Sequence, residues 1–182
     1  MKITEPKKAI FLDRDGVINK EVSYLSNPKD FEFIEGSIEA LKILKEKGFL
    51  LIIITNQAGI ARGFFTEEIL TTIHEKMIEI LKQNAVELND VYYCPHHPKF
   101  TGECACRKPN PGMILKAKLK HNIDLNNSYM VGDTINDIQT GKAARCKTIL
   151  VLTGYGKEEQ KNIGSIIPDM IFKNLKEFAI NI

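Results

Sequence analysis

The chain has 182 residues, of which 43% are hydrophobic and 26% charged, a composition typical of a soluble globular domain. Its formal charge of +2 is too small to predict a nucleic-acid or membrane-surface partner. No apolar run approaches the roughly 18 residues of a membrane span, and the N-terminal segment lacks a signal-peptide pattern. We therefore predict a single cytoplasmic domain over residues 1–182 that acts as a monomer on a small molecule.

Short apolar runs alternate with amphipathic stretches along the whole chain. Runs that are apolar throughout are typical of parallel strands buried on both faces. The predicted strands cover residues 9–13, 49–55, 91–94, 129–133, 148–152 and, more weakly, 169–172. The predicted helices cover residues 36–47, 67–83 after a Thr66 cap, a segment that opens at Asn110-Pro111, and 134–144. This order, β-α-β-α-β-(cysteine loop)-α-β-α-β-β, predicts an α/β fold with a doubly wound, mainly parallel sheet and helices on both faces.

Acidic and polar residues stand where the predicted strands end. They are Asp13-Arg14-Asp15-Gly16 after the first strand, Thr55-Asn56-Gln57 at the second, and Gly132-Asp133-Thr134 at the fourth, with Asp137 a turn later. In doubly wound sheets, ligands bind at the carboxyl ends of the strands. Carboxylates and a hydroxyl at this edge suit Mg²⁺ and a phosphate ester, because Mg²⁺ prefers oxygen ligands and often binds substrate phosphates.

Asp13 and Asp15 are two residues apart, so in extended backbone both side chains can face the same way. Two such carboxylates can divide the work of nucleophile and general acid or base when their surroundings separate their pKa values. The alternative is that these aspartates only form turns and cap helices, as Asp commonly does. Their joint placement at the ligand-binding edge favours the catalytic interpretation.

Three of the four cysteines and two of the four histidines lie in CPHHPKFTGECACRKP, residues 94–109. Two close pairs of N and S ligands typical of a closed, structural zinc site are Cys94 with His96 and Cys104 with Cys106. The alternative, free thiols packed in a core, fits poorly with a segment rich in Pro, Lys and Gly. A zinc loop over residues 94–106 would brace the backbone that carries Arg107 and Lys108.

The other histidines and the remaining cysteine show no ligand pattern. His97 is not expected to bind the metal, although it follows His96 directly. Cys146 is expected to be a small buried hydrophobic residue. His74 and His121 are expected to be surface residues.

Four segments, FLDRDGVIN, ITN, the lysine of RKP and VGDTINDI, resemble in order the four motifs of the haloacid dehalogenase superfamily. The resemblance spans residues 10–138 and implies a phosphatase with an aspartate nucleophile on this kind of sheet. It implies that Asp13 attacks phosphorus to form an aspartyl-phosphate, and that Asp15 protonates the leaving oxygen and later deprotonates water.

The same resemblance implies a catalytic Mg²⁺ bound by Asp13, Asp133 and the backbone carbonyl of Asp15. Thr55 and Lys108 would hold the phosphoryl oxygens as charge develops. Asp137 would support the metal or Lys108.

The zinc loop narrows the resemblance to a branch that contains heptose 1,7-bisphosphate 7-phosphatases and histidinol-phosphate phosphatases. NQAGIARGFFTEE, residues 56–68, and CPHHP are similar to the heptose enzymes. This implies removal of the 7-phosphate of D-glycero-D-manno-heptose 1,7-bisphosphate in nucleotide-activated heptose synthesis for a cell-surface glycan, either lipopolysaccharide core or S-layer. The alternative is histidinol phosphate in histidine biosynthesis. In the heptose branch the substrate pocket would contain Glu21, Val22, Ser23, Tyr24, Thr55, Asn56, Gln57, Ala58, Arg107 and Thr134.

Two features depart from the heptose pattern. The zinc pairs are closer together than in many heptose enzymes, and Thr134 stands where many carry a lysine that touches substrate. Arg107 has the planar fork suited to the sugar or its 1-phosphate.

No insertion is long enough to form a cap domain, so an open site is expected. A catalytically inactive, zinc-stabilised binding module is disfavoured by the complete motif set. A nucleic-acid 3′-phosphatase is disfavoured by the near-neutral charge.

Overall fold

The computed structural model describes residues 5–182, which contain one six-stranded sheet with helices on both faces. The strands are β1 (Ala9–Leu12), β2 (Leu50–Asn56), β3 (Asp90–Cys94), β4 (Tyr129–Gly132), β5 (Lys147–Val151) and β6 (Met170–Phe172). The helices are α1 (Ser37–Glu46), α2 (Glu67–Gln83), α3 (Pro98–Thr101), α4 (Gly112–His121), α5 (Ile135–Ala143), α6 (Gly156–Lys161) and α7 (Leu175–Asn181). Short 3₁₀ helices cover Pro28–Asp30 and Leu125–Asn127.

The strand order is β3-β2-β1-β4-β5-β6, and every neighbouring pair is parallel. The chain therefore winds outward from β1 to one edge and from β4 to the other. Leu12 pairs with Ile53 of β2 and with Val131 of β4, so the carboxyl ends of the three central strands reach the same edge together. This confirms the predicted doubly wound parallel sheet.

The core lies in two layers because successive strand residues point to opposite faces. On one face Ile10 and Leu12 pack with buried residues of α1, α2 and α7. On the other face Phe11 and Met130 pack with buried residues of α4. Both layers are apolar and fully buried at the central strands. This packing fixes the positions at which the carboxyl ends of these strands lie.

The end of the chain differs from the prediction. The polar helix α6 separates β5 from β6, and α7 follows β6, whereas the sequence predicted two strands in succession. Helix α6 has six residues, GKEEQK, of which only Gly156 is buried, so it has no apolar stripe to reveal it.

Of two predicted helix N-caps, the structure has one and lacks the other. Thr66 caps α2 by accepting a hydrogen bond from Ile69 N, as predicted. Asn110 does not cap α4, which begins at Gly112 with Pro111 in the cap position. Asn110 Nδ2 instead donates to the carbonyl of Cys104 at 2.8 Å, because the cysteine loop turns back over this residue.

No loop between residues 5 and 182 forms a cap domain over the sheet edge. Within the same range, none of the helices has the length and apolar character needed to cross a bilayer.

Candidate active site

A buried lysine joins two aspartates at the centre of the carboxyl edge. Lys108 Nζ lies 2.8 Å from Asp13 Oδ1 and 2.6 Å from Asp137 Oδ1, with only 3% of its side chain exposed. Burial disfavours the ammonium charge, but Asp13 and Asp137 outweigh it and raise the pKa of Lys108 above its usual value. Lys108 is therefore held as a cation next to Asp13.

Asp133 is buried beside the same group, and Tyr155 N donates to its Oδ2 at 2.8 Å. Carboxylate oxygens of Asp13, Asp133 and Asp137 lie within 4.8 Å of one another. Burial, together with the neighbouring carboxylates, raises the pKa of Asp133 to about 9. Burial also raises the pKa of Asp13 to about 7, with Lys108 opposing the shift. This crowding of negative charge is typical of a cation site.

Two glycines allow the backbone to approach Asp133. Gly16 has φ +80°, and a Cβ there would lie 2.1 Å from Asp133 Oδ2. Gly154 has φ +51°, and its Cβ would lie 2.0 Å from the same oxygen. A side chain at either position would push into the carboxylate, so the site needs glycine there for space as well as for conformation.

Asp15 is surrounded by hydrogen-bond donors. Arg14 Nη2 lies 2.9 and 2.8 Å from its two carboxylate oxygens. Asn19 Nδ2 donates to Oδ1 at 2.9 Å, and Gln57 Nε2 donates to Oδ2 at 3.0 Å. Burial opposes the charge, but Arg14 and these hydrogen bonds lower the pKa of Asp15 below its usual value. The surroundings therefore shift the two pKa values in opposite directions, that of Asp15 down and that of Asp13 up.

The end of β2 supplies a buried hydroxyl and two amides. Gln57 Nε2 donates to Thr55 Oγ1 at 2.9 Å, which joins Thr55 to the Asp15 environment. Asn56 forms two hydrogen bonds with the backbone of Lys108, from Nδ2 to the carbonyl at 3.1 Å and from the lysine N–H to Oδ1 at 3.0 Å. Asn56, which was predicted to contact substrate, thus binds the backbone of Lys108 to the end of β2.

An open cavity of about 300 Å³ lies over these groups. Predicted site residues that line it are Asp13, Asp15, Glu21, Val22, Ser23, Tyr24, Thr55, Asn56, Gln57, Ala58, Arg107, Lys108, Asp133 and Thr134. Leu25, Gly59, Asn136 and Tyr155 also line it and were not predicted. Burial and the charge of Asp15 raise the pKa of Glu21 on the cavity wall to about 7.

Arg62 contacts aromatic side chains of two neighbouring loops. Its guanidinium lies 5.6 Å from the ring centroid of Tyr24 and 5.5 Å from that of Phe100. Tyr24 also packs edge-on against Phe64 at 4.7 Å and has φ +55°, which is unusual for a non-glycine residue. The loop after β1, the loop after β2 and the cysteine loop are thus held together.

The cysteine loop brings four ligand groups to one point. Cys94 Sγ lies 3.0 Å from Cys106 Sγ and 3.6 Å from Cys104 Sγ, and His96 Nδ1 lies 3.4 Å from Cys106 Sγ. All four ligand atoms lie within 4.8 Å of one another, so the cluster could hold a metal ion. Arg107 Nη1 donates to the His96 carbonyl at 3.1 Å, which connects the cluster to the cavity wall.

The structure agrees with some of the predictions for the remaining histidines and Cys146 and contradicts one. Cys146 is buried, as predicted, and His97 lies outside the cluster, where its Nε2 is 3.1 Å from Arg62. The prediction for His74 was wrong, because it is buried on the inner face of α2 against Arg14. His121 is half-buried, with Nε2 2.9 Å from Asp90 Oδ2 at the opposite end of β3.

Residues 105–178 match the HAD-hydrolase-like family model. The D-glycero-beta-D-manno-heptose-1,7-bisphosphate 7-phosphatase of Pasteurella multocida is 47% identical, with 93% of this chain and 99% of the relative covered. The enzyme of that name from Escherichia coli K12 is 49% identical, with 80% of each chain covered.

The fold matches a crystal structure of D,D-heptose 1,7-bisphosphate phosphatase from B. bronchiseptica, complexed with magnesium and phosphate. Its TM-score is 0.88 at 34% identity, and the match covers 95% of this chain and 96% of that chain. The heptose 1,7-bisphosphate phosphatase of Burkholderia thailandensis has a TM-score of 0.73 at 31% identity, with 96% of this chain and 97% of that chain covered. The carboxylate-rich edge, the cysteine loop and these relatives agree, and the chain belongs to the D-glycero-beta-D-manno-heptose-1,7-bisphosphate 7-phosphatase family of haloacid dehalogenase-like phosphatases.

Proposed function

We propose that the protein removes the 7-phosphate of D-glycero-β-D-manno-heptose 1,7-bisphosphate, in nucleotide-activated heptose synthesis for a cell-surface glycan. The observation that carries this proposal is the buried Asp13–Lys108 pair beside Asp15 in a cavity open enough for a sugar phosphate. The names of relatives at 47% and 49% identity support the substrate and its β anomer. We also propose that the protein acts as a single-domain monomer in the cytoplasm, since one chain supplies every predicted site residue.

We assign Asp13 as the nucleophile. One of its carboxylate oxygens attacks phosphorus, and the bond from phosphorus to the sugar oxygen breaks with its electron pair on that oxygen. Asp15 is ionised in the free site, so it must take up a proton when the anionic phosphate binds beside it, and it then gives that proton to the leaving sugar oxygen. In the second step Asp15 takes a proton from water as the water oxygen attacks phosphorus, which releases phosphate and restores the Asp13 carboxylate.

The carboxylates fit a divalent cation by their chemistry. Asp13 and Asp133 are crowded oxygen donors that both line the cavity. Burial raises the pKa of each, and neighbouring carboxylates add to both shifts. We propose that they bind Mg²⁺ with the backbone carbonyl of Asp15, and that the ion, when bound, neutralises phosphate charge. Asp137 fits this role less well, because its oxygens already accept from Lys108 at 2.6 Å and from Thr134 at 2.6 Å.

The remaining groups would bind the phosphoryl group and the sugar. Lys108 and Thr55 are buried at the cavity floor, where a cation and a hydroxyl can stabilise the developing charge. Arg107 lines the same cavity from the cysteine loop and offers a second cation for the sugar or its 1-phosphate. Thr134 is a weaker candidate for substrate contact, because its hydroxyl donates to Asp137.

We propose that Cys94, His96, Cys104 and Cys106 bind a structural Zn²⁺. Three thiolates and one imidazole would supply the four ligands of a structural zinc and leave no position for substrate. The metal would act only by holding the backbone that leads to Arg107 and Lys108.

Phosphate release from three substrates tests the proposed function. Heptose 1,7-bisphosphate should have the highest kcat/KM, followed by fructose 1,6-bisphosphate and histidinol phosphate. Histidinol phosphate has a cationic amine where the heptose has hydroxyls and a second phosphate, so Arg107 should disfavour it. A preference for histidinol phosphate of about tenfold, equal to about 1.4 kcal/mol in transition-state binding, would contradict the assignment.

A further inference from the structure

We propose that Arg14 and His74 are positioning residues that orient Asp15 for proton transfer to the leaving group. This inference rests on the proposed function, because it concerns the acid–base step of that reaction. It is carried by a buried chain of contacts that runs from Asp15 through Arg14 to helix α2.

Arg14 holds both oxygens of Asp15 with one end of its guanidinium. Nη2 lies 2.9 Å from Oδ1 and 2.8 Å from Oδ2, and Nε lies 3.2 Å from Oδ1. The Arg14 side chain is fully buried, at 0% exposure. A planar fork against a carboxylate fixes the carboxylate's rotation as well as its position.

His74 fixes the other end of the same guanidinium. His74 Nε2 lies 3.1 Å from Arg14 Nη1. A guanidinium has only donors, so Nε2 must accept, and the ring proton must be on Nδ1 of a neutral imidazole. Burial and the Arg14 charge lower the pKa of His74 to about 3, in agreement with a neutral ring.

The chain of contacts continues into two elements of the fold. His74 belongs to α2, and its ring lies 6.1 Å from that of Tyr93 in β3. The Tyr93 hydroxyl donates to Glu67 at 2.6 Å, at the start of α2. These contacts connect Asp15, which lies on a loop, to helix α2 and strand β3.

Packing alone does not explain this arrangement. A buried ion pair costs desolvation energy, and an apolar residue of similar size at position 14 would avoid that cost. Among the described residues, the only ion pair recorded for Arg14 is with Asp15. Arg14 therefore serves the one side chain that must meet both the leaving oxygen and the attacking water.

The proton step gives this role a specific kinetic signature. When the bond from phosphorus breaks, an alkyl leaving oxygen needs the proton of Asp15, whereas 2,4-dinitrophenolate leaves readily as an anion. A badly oriented Asp15 should therefore slow alkyl phosphates far more than 2,4-dinitrophenyl phosphate. Loss of the fold or of the nucleophile would slow both esters alike.

The experiment compares kcat/KM for glycerol 3-phosphate and for 2,4-dinitrophenyl phosphate, because kcat/KM reports the steps up to departure of the alcohol. His74→Phe removes the acceptor of Arg14 and keeps an aromatic ring in the buried space. We expect a loss of about tenfold or more on the alkyl ester, a part of the roughly 10²–10⁴ typical of general acid–base catalysis, and about threefold or less on the aryl ester. His74→Gln, which can keep an acceptor, should recover most of the loss.

His121→Gln is the matched control, because His121 is half-buried against Asp90 at the far end of β3 and should leave both esters unchanged. Arg14→Lys is a second variant for the case that His74→Phe does not fold, since a lysine keeps the charge and lacks the fork. Equal losses on the two esters, or no loss on either, would overturn the inference. Heptose bisphosphate turnover by the unmodified protein is measured separately, so a failure of the proposed function is distinguishable from a failure of this one.

Discussion

At the scale of single residues, Asp13 and Asp15 have opposite electrostatic surroundings. Asp13 is crowded by other carboxylates and depends on Lys108 for its charge, whereas Asp15 is held ionised by Arg14 and two amides. A nucleophile that must act as an anion thus depends on cations close to it. Asp15, the proposed acid–base group, is instead held in position by neighbouring hydrogen-bond donors.

The change Asp13→Asn tests the nucleophile. The amide is nearly isosteric but cannot attack phosphorus, so turnover should fall to background while the thermal midpoint stays the same or rises, since burial raises the pKa of Asp13. Phosphate release and thermal unfolding measure the two effects. Asp90→Asn is the control, because Asp90 is paired with Lys120 and His121 away from the cavity. Near-normal activity of Asp13→Asn would exclude the aspartyl-phosphate route.

Some site residues could be predicted from the sequence, and others could not. Asp13, Thr55 and Asp133 were predictable because parallel strands bring their carboxyl ends to one edge. Arg14 was assigned no role of its own, and His74 was expected at the surface. His74 lies four residues after Leu70 and three before Met77 on the buried face of α2, so the helical period could have placed it inward. Its contact with Arg14 depends on how α2 packs on the sheet.

At the scale of elements, the cysteine loop connects β3 to α4 and is hydrogen-bonded to the start of that helix. Cys94 ends β3, Asn110 binds the Cys104 carbonyl, and Gly112 N donates to the Ala105 carbonyl at 3.1 Å. A Cβ on Gly112 would lie 2.2 Å from that carbonyl oxygen, so the loop packs directly on the start of α4. Lys108 leaves this loop two residues after its last cysteine.

The change Cys104→Ser tests the cysteine loop as a metal-bound brace. The purified protein should contain about one zinc per chain, and the variant should lose zinc, thermal stability and activity together, because metal binding contributes folding energy. Metal analysis and thermal unfolding provide the measurements. Cys146→Ala, which changes the cysteine outside the cluster, should keep its zinc. A zinc-free protein with full activity, purified without chelator, would contradict the proposal.

Two of the helices that the sequence did not reveal, α6 and α7, lie after the fifth strand. Helix α6 is short and polar. Helix α7 was missed although it buries Leu175, Phe178 and Ala179, because it has only two turns in which a helical period can appear. Strong periodicity in α1 and α2 made those helices predictable.

At the scale of the whole molecule, the sheet forces like charges together at one edge. The apolar layers on both faces fix β1 and β4 side by side, so Asp13 and Asp133 cannot separate. Repulsion between these carboxylates therefore lowers the stability of the folded protein, and a bound cation would remove this repulsion. Such a cost is common at functional sites, where stability is lower than the same fold could reach.

The change Asp133→Asn tests this cost. Asp133 has its pKa raised from 3.8 to about 9, so between these values the unfolded chain has lost a proton that the folded, metal-free protein keeps. Stability of the metal-free protein should therefore fall as pH rises through this window, and Asn should remove that part of the fall. At pH 8 without metal we expect a thermal midpoint higher by about 2–4 °C or more, equal to about 1 kcal/mol for a domain of this size.

Magnesium should reverse the order of the two proteins. Binding to the folded state alone raises the thermal midpoint in proportion to RT ln(1 + [Mg²⁺]/Kd), so added Mg²⁺ should stabilise the unmodified protein and have little effect on Asp133→Asn. Thermal unfolding at pH 5 and pH 8, with and without Mg²⁺, measures both effects on the same samples. The Asn carbonyl can still accept from Tyr155 N, so the change keeps that contact while it removes the charge. Equal responses to Mg²⁺ would mean that the crowded carboxylates are not the cation site, because the variant lacks one of its two charged ligands.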